Sequence, residues 1–406
     1  MALALLAASW AQARGGDLLA LVVDHGLRAE SGTEAALTLR RLAGRGIAAR
    51  LLRLDGLRRG SGLAARARTA RYAALSAACA AAGRVHLLLG HHAGDQAETR
   101  LMREGAGSGA AGLAAMPALT ETAALRLLRP LLTVPKARLC ATLRSAGMAW
   151  VEDPSNTDPA TLRARLRARL HADQAAPGTA APAIRAASAA AVAGHARAWT
   201  EHATAASLAR RAQLSPLGYA LLMPGKLPAP AFGALLRMLG GADWAPASAS
   251  VARIAAAPRP ATLGGVRLLP AGRLLSGGWL LVREAAAIAP PVPARAGTIW
   301  DGRFRLLAAA LPPDLTVGAL GPAAAQLRRH SNLPAAILRT LPALWRAGTL
   351  VAVPALSYPD PSWAIACRFA LFPRLPAAAA PFVPAAEELR DAMAPRGCAL
   401  APDTLC

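Results

Sequence analysis

Along the first 150 residues, short apolar runs alternate with longer stretches of 3.6-residue apolar spacing, the pattern of an α/β domain built on a parallel sheet. Residues 18–23 (LLALVV) and 47–54 (IAARLLRL) predict strands, with a helix over 31–44 between them and Ser31 as its N-cap. Another helix is predicted over 63–82, a brief strand at Val85–Gly90, and a helix opening at His91 and running to Glu104. Lys136 to Gly147 reads as a further helix, ended by its glycine. Residues 174–184 (QAAPGTAAPAI) have the composition of a linker. Beyond it the pattern predicts a helix over 183–213, a small helical unit near 229–256, and strand-like runs at 261–269 and 273–283. A second Pro- and Ala-rich break at 285–297 precedes a last region with short strands such as Thr349–Val353. The expected domains are therefore 1–173, 183–285 and 298–380, with a flexible tail at 381–406.

The 406 residues are 54 % hydrophobic, which excludes disorder over the whole length. Basic charge is carried by 44 Arg and two Lys, and the net charge of +23 favours polyanionic partners such as nucleic acid. Five scattered cysteines with no CxxC and no Cys/His cluster fit a reducing, cytoplasmic compartment and no structural zinc. The opening residues 1–13 imitate a signal peptide but lack its basic start, so a buried first helix is expected instead. No stretch qualifies as a membrane span.

Ionisable side chains crowd one strand-to-helix junction, Gly90-His-His-Ala-Gly-Asp-Gln-Ala-Glu98, and open α/β sheets bind ligands at such strand ends. A lone histidine is more often structural than catalytic; His91 and His92 with Asp95, Gln96 and Glu98 shift the balance towards a site. A second junction, Asp24-His25-Gly26, reads by itself as a capped loop. If its strand neighbours the other in one sheet, both junctions face one crevice. Residues 163–169 place arginine at every second position, a pattern that wants water or phosphate.

The segments VDHGLRAES (23–31), ARTARY (67–72), GHHAGDQAET (90–99), LMREGAGSGAAGLAAM (101–116), RPLL (129–132) and VEDPSNTD (151–158) together resemble the tRNA(Ile)-lysidine synthetase family. Weaker likeness continues through ATLGGVRLL (261–269), WLLVRE (279–284) and LPALWRAGTLVAVP (341–354). The resemblance implies a Rossmann-like PP-loop domain with a parallel sheet, followed by two smaller α/β or α+β domains. It implies an ATP- and Mg²⁺-dependent ligase that adenylates the wobble cytidine of a tRNA(Ile) with a CAU anticodon and then joins free L-lysine to it. The lysidine formed changes decoding from AUG to AUA. By match to the family motif, His91 and Asp95 belong to the nucleotide and Mg²⁺ site, with Asp24 and His25 on the nucleotide side. Glu98 belongs to the lysine or cytidine side, with His91, Asp95 and Glu98 the catalytic set. Arg68, Arg71, Arg163, Arg165 and Arg167 are the expected tRNA contacts, a solvated helix face being the plainer reading of each. A homodimer is consistent with the resemblance.

Three departures stand out. The family's strand and phosphate loop, SGGxDS, are absent from these 406 residues, so weak ATP binding by this chain is expected. A start codon placed too far downstream accounts for this most simply, and the upstream reading frame tests it. Gly94 replaces an aspartate of the usual HHADDQ, and Ala106 replaces an arginine before Gly-Ser-Gly. The rival from another class is a non-catalytic tRNA-binding relic. A tRNA thiolase would need paired reactive cysteines, and Cys79 and Cys140 read as core residues; a membrane-surface protein would need a long basic amphipathic helix.

Overall fold

The computed structural model describes residues 1–57, 60–122, 124–151, 165–166, 182–308, 310–373 and 375–378. They form two compact units, the first reaching Ala198 apart from Glu121 and Thr122, the second taking those two and the described residues from Trp199 onward.

The first unit is parallel α/β. Helix α1 (Ala2–Gln12) precedes β1 (Leu19–Asp24), and β1 pairs in parallel with β2 (Ala48–Arg53) from Leu19 opposite Ala48 to Asp24 opposite Arg53. Helix α2 (Ser31–Ala43) makes the crossover that parallel pairing requires. It begins one residue earlier than a Ser31 cap would allow: Glu30 is the N-cap, and the Ser31 hydroxyl donates to Arg28 O at 2.9 Å. Helix α3 (Leu63–Ala81) leads to β3 (His86–Leu88), and α4 (Ala93–Gly105) follows. After the one-turn helix α5 (Ala110–Leu113) come β4 (Leu119–Glu121), β5 (Arg126–Leu128) and α6 (Lys136–Ser145), in a second sheet of order β3-β5-β4. Helix α6 ends as expected, with Gly147 at φ 58° and Met148 N–H returning to Leu143 O.

One expectation is corrected by this unit, and one condition is not met. Helix α1 buries only one face, Ala2, Ala7 and Ala11, while Leu6 and Trp10 are exposed, the latter under the Arg14 guanidinium. The strands β1 and β3 are not hydrogen-bonded neighbours; they belong to separate ladders among the described residues. What they share is a core: Leu21 and Val23 of β1 pack with Leu87 of β3, Leu127 of β5 and Leu75 and Cys79 of α3. Cys79 is thus a core residue, whereas Cys140 is only half-buried.

Helix α7 (Pro182–Arg211) carries the chain into the second unit. There an antiparallel sheet of order β6-β7-β10-β9-β8 combines Ala212–Leu214, Tyr219–Leu222, Trp279–Arg283, Val266–Pro270 and Ala261–Leu263. Helices α8 (Ala229–Leu239) and α9 (Ser248–Ala256) cover it through Phe232, Leu236, Leu239 and Val251. The run 261–269 is a hairpin rather than one strand, because Gly264 and Gly265 both take positive φ and turn the chain in two residues. Likewise only Trp279–Arg283 of the 273–283 run is a strand; Gly272–Leu274 is a 3₁₀ turn.

The remaining chain forms a four-stranded and a three-stranded antiparallel sheet around Trp300, Phe304, Leu306 and Val317. Asp301 is held at φ 53° and buried between two arginines. Arg303 pairs with one of its carboxylate oxygens at 2.6 Å and Arg283 with the other at 3.0 Å, and Ala289 N–H donates to it as well. Burial lowers the Arg303 pKa to about 10, the adjacent Asp301 opposing the fall, so Arg303 stays charged at neutral pH.

Removing one member of a buried ionic triad leaves charge without a partner. Asp301→Ala is therefore expected to lower stability by about 3–5 kcal/mol in urea unfolding. Asp314→Ala breaks only the exposed 2.7 Å pair with Arg346 and is expected to cost less than about 1 kcal/mol.

Candidate functional site

Strands β3 and β5 run in parallel with Leu87 opposite Leu127, and Leu89 N–H donates to Leu128 O at 2.8 Å. Gly90 and Arg129 therefore leave adjacent strand ends together. From there the chain enters α4 through a capping box. His92, in extended backbone, accepts the Gly94 N–H at Nδ1 (3.0 Å), and its own N–H donates to Asp95 Oδ2 (3.0 Å). Accepting at Nδ1 puts the ring proton on Nε2, 3.6 Å from Asp95 Oδ2. A Cβ on Gly94 would stand 2.8 Å from His92 Cε1, so a larger residue here would require this ring to shift.

His91 points into the protein. Its Nδ1 is buried and meets no hydrogen-bond partner among the described residues. Burial, first of all, pushes its pKa down to about 4; Asp95 opposes this, while Arg129, Arg68 and Arg71 add to it. The imidazole is thus neutral at neutral pH, a hydrogen-bonding group and a weak base.

Helix α3 supplies the next layer. Arg68 and Tyr72 are one turn apart, with the Arg68 and Arg71 guanidinium carbons 5.0 and 5.7 Å from the Tyr72 ring centre. Arg129, just past β5, is 6 % exposed. Its Nη1 donates to Pro117 O (2.8 Å) and Thr120 Oγ1 (3.0 Å), while its Nε is buried without a partner among the described residues. Burial lowers its pKa, Tyr72 opposing and Arg68 adding to the fall, yet a guanidinium keeps its charge at neutral pH. Tyr72 faces this cation, but its buried hydroxyl makes no directional hydrogen bond.

The structure thus brings together His91, Asp95, Arg68 and Arg71 of the predicted residues, and adds Arg129 and Tyr72. Glu98 is buried in α4, one turn beyond Asp95. Asp24 and His25 form another grouping at the end of β1. There Ser31 and the Gly26 N–H (2.9 Å) hold the Asp24 carboxyl below its usual range, with Arg53 and His25 nearby. Gly26 turns at φ 62°, the conformation glycine serves in a tight turn. Gln96 also serves the fold, its amide clamping both the N–H and the carbonyl of Met116 at 2.9 Å. Arg165 is exposed; Arg163 and Arg167 lie outside the described residues.

Mg²⁺ uses one or two carboxylates and takes its other ligands from water and phosphate. Among the described residues no group of three or more acidic, Cys or His side chains could cage a metal. Asp95, about a quarter exposed and with one oxygen spent on the helix cap, fits as a single ligand to a phosphate-bound ion.

His92→Ala, which deletes the helix cap, is expected to cost about 1 kcal/mol in urea unfolding at pH 7.5. The pH dependence follows from His91. Above pH 6.5 the ring is neutral folded and unfolded; as pH falls from 6.5 towards 4 the unfolded chain takes up the proton first, so stability declines across that window. His91→Gln is expected to flatten the decline, read as the difference between the two stability profiles from pH 7.5 to 4.5.

Residues 1–174 match the PP-loop domain family. The tRNA(Ile)-lysidine synthase of Bradyrhizobium sp. is 49 % identical over 172 residues, 42 % of this chain and 48 % of that protein; the match spans about half that relative's length. The synthase of Ruegeria pomeroyi is 35 % identical over 354 residues, covering 83 % of this chain and 81 % of its own. A solved tRNA thiolase, NcsA from Methanococcus maripaludis, is a looser match at 14 % identity and TM-score 0.38, covering 46 % of this chain and 66 % of its own. With a PP-loop domain at its start and a relative aligned through both units, the chain belongs to the tRNA(Ile)-lysidine synthase family.

Proposed function

We propose that this protein joins L-lysine to carbon 2 of the wobble cytidine in a tRNA(Ile) with a CAU anticodon. The observation that carries the reading is the cationic cluster of Arg68, Arg71 and Arg129 around neutral His91 and Asp95, at the ends of parallel strands in a chain of this family. The ring carbon is a poor electrophile while it bears a carbonyl oxygen. In the proposed first step that oxygen attacks the α-phosphorus of ATP and pyrophosphate leaves. In the second, the lysine side-chain amine attacks carbon 2, AMP leaves with the oxygen, and the amine gives up a proton. Mg²⁺ would neutralise charge on the triphosphate, with Asp95 as its protein ligand.

The arginines would stabilise anionic oxygen as charge shifts from one phosphate to the next. His91, with its depressed pKa, is suited to orienting a substrate group rather than to removing the amine proton at neutral pH. Glu98 is proposed to face the lysine or the cytidine. The charge of +23, with exposed Arg165, supports contact with tRNA phosphates; a homodimer and a cytoplasmic setting fit the same reading. No described helix is long and apolar enough to cross a membrane.

The 406 residues contain no SGGxDS loop, so they do not supply that loop's phosphate-binding backbone. The 406-residue chain is therefore expected to bind tRNA with strong salt dependence and to form no lysidine with ATP, Mg²⁺ and lysine, as read by mass spectrometry of the tRNA. A chimera preceded by the family's strand and SGGxDS loop is expected to form lysidine, and Asp95→Asn in that chimera to slow it roughly 100-fold. A chimera that binds tRNA yet never modifies it would instead favour the non-catalytic, tRNA-binding reading.

A further inference from the structure

Buried arginines in this protein are treated in two ways. In the second unit, Arg283 and Arg303 share the carboxylate of Asp301, which accepts from both. In the first unit, Arg129 is as thoroughly buried as Arg283, but among the described residues no carboxylate acts on it; the groups that do are the Tyr72 phenol and another cation, Arg68. Burying a guanidinium without a counter-charge is costly, and proteins that do so keep an anion for it.

The polar atoms around Arg129 agree. Among the described residues of the first unit, four buried side-chain polar atoms lack a hydrogen-bond partner: Arg41 Nη1, Tyr72 Oη, His91 Nδ1 and Arg129 Nε. Three of the four lie in this one cluster. The Nη1 atom of Arg129 is already spent on Pro117 O and Thr120 Oγ1, which fixes the guanidinium plane and leaves Nε over. Its backbone is fixed too, through Arg129 N–H to Ala118 O at 2.8 Å. A held cation with a spare donor, beside a phenol hydroxyl that can donate and a ring nitrogen that can bond in either tautomer, is the equipment of an oxyanion site.

We propose that Arg129, with Tyr72 and His91, forms a built oxyanion subsite in this cluster, in which Arg129 Nε and the Tyr72 hydroxyl donate to the anion. The inference deepens the ligase reading and rests on it for the source of the anion: a phosphoryl oxygen of the nucleotide, or the carboxylate of lysine. The two sources share their chemistry and are separated by the probe.

The test uses the 406-residue chain labelled with ¹⁵N at arginine Nε, the Arg129 Nε–H resonance being assigned by its loss in Arg129→Lys. Pyrophosphate, AMP, L-lysine and cadaverine, which lacks the carboxylate, are titrated in turn. Pyrophosphate or AMP shifting the resonance saturably assigns the site to a phosphoryl group; L-lysine shifting it while cadaverine does not assigns it to the carboxylate. In either case Arg129→Lys, which keeps the charge but not the fork, is expected to weaken that probe about 10-fold. Thr120→Val removes a strut and leaves Nε, so it is expected to bind the probe as the parent does. The proposal is overturned if none of the oxyanions moves the resonance, or if Arg129→Lys binds them as tightly as the parent. Anion binding at Arg129 with no lysidine from the chimera would sink the ligase reading and leave the subsite standing. Lysidine formation with a silent Arg129 would do the reverse.

Discussion

The parallel pairing of β3 with β5 sets where everything else in the first unit can be. Strands of three residues each bring Leu87 opposite Leu127, and their ends release Gly90 and Arg129 side by side. From Gly90 the chain must turn at once into α4, and His92 caps that helix with its ring lying close over Gly94. From Arg129 it must pass a proline, and the guanidinium is pinned by the carbonyl of Pro117 and the hydroxyl of Thr120. Helix α3 closes the cluster, because the same core that holds Leu75 and Cys79 against the strands places Tyr72 beneath Arg68 and Arg71.

Electrostatics then follows from packing. Three arginines converge where Asp95 offers a carboxylate already engaged by a backbone N–H, and burial keeps His91 neutral. The cluster is cationic on balance and holds polar atoms that the described residues leave unmatched. That is the opposite solution to the one around Asp301, where each buried charge meets its partner inside the fold. The first arrangement is suited to receiving an anion and the second to holding sheets together.

Much of this is legible in the sequence where a local rule suffices. The apolar runs mark β1 and β2, the glycine after Ala146 ends α6, and the crowding of ionisable residues after Gly90 marks the junction that the structure makes into a cluster. The hairpin at 261–270 escapes such a reading although Gly264-Gly265 carries a two-residue turn signal, because the apolar residues on both sides look like one run. Arg129 escapes it for a different reason. It lies 38 positions beyond His91, next to no other ionisable residue, and its place beside His91 comes from strand order, which no local pattern encodes. Asp24 shows the converse, a residue of chemical-looking spacing whose carboxylate is held by Ser31 and by the Gly26 N–H.

If the ends of β3 and β5 receive the anticodon end of a tRNA, both chain segments that leave those strands must be covered in the complex. Hydrogen exchange read by mass spectrometry over residues 86–105 and 126–134, with and without tRNA, tests this most directly. Protection of both segments by a tRNA with a CAU anticodon, lost when the anticodon loop is cut away, is the predicted result. Protection confined to the second unit, with both segments unchanged, would contradict it.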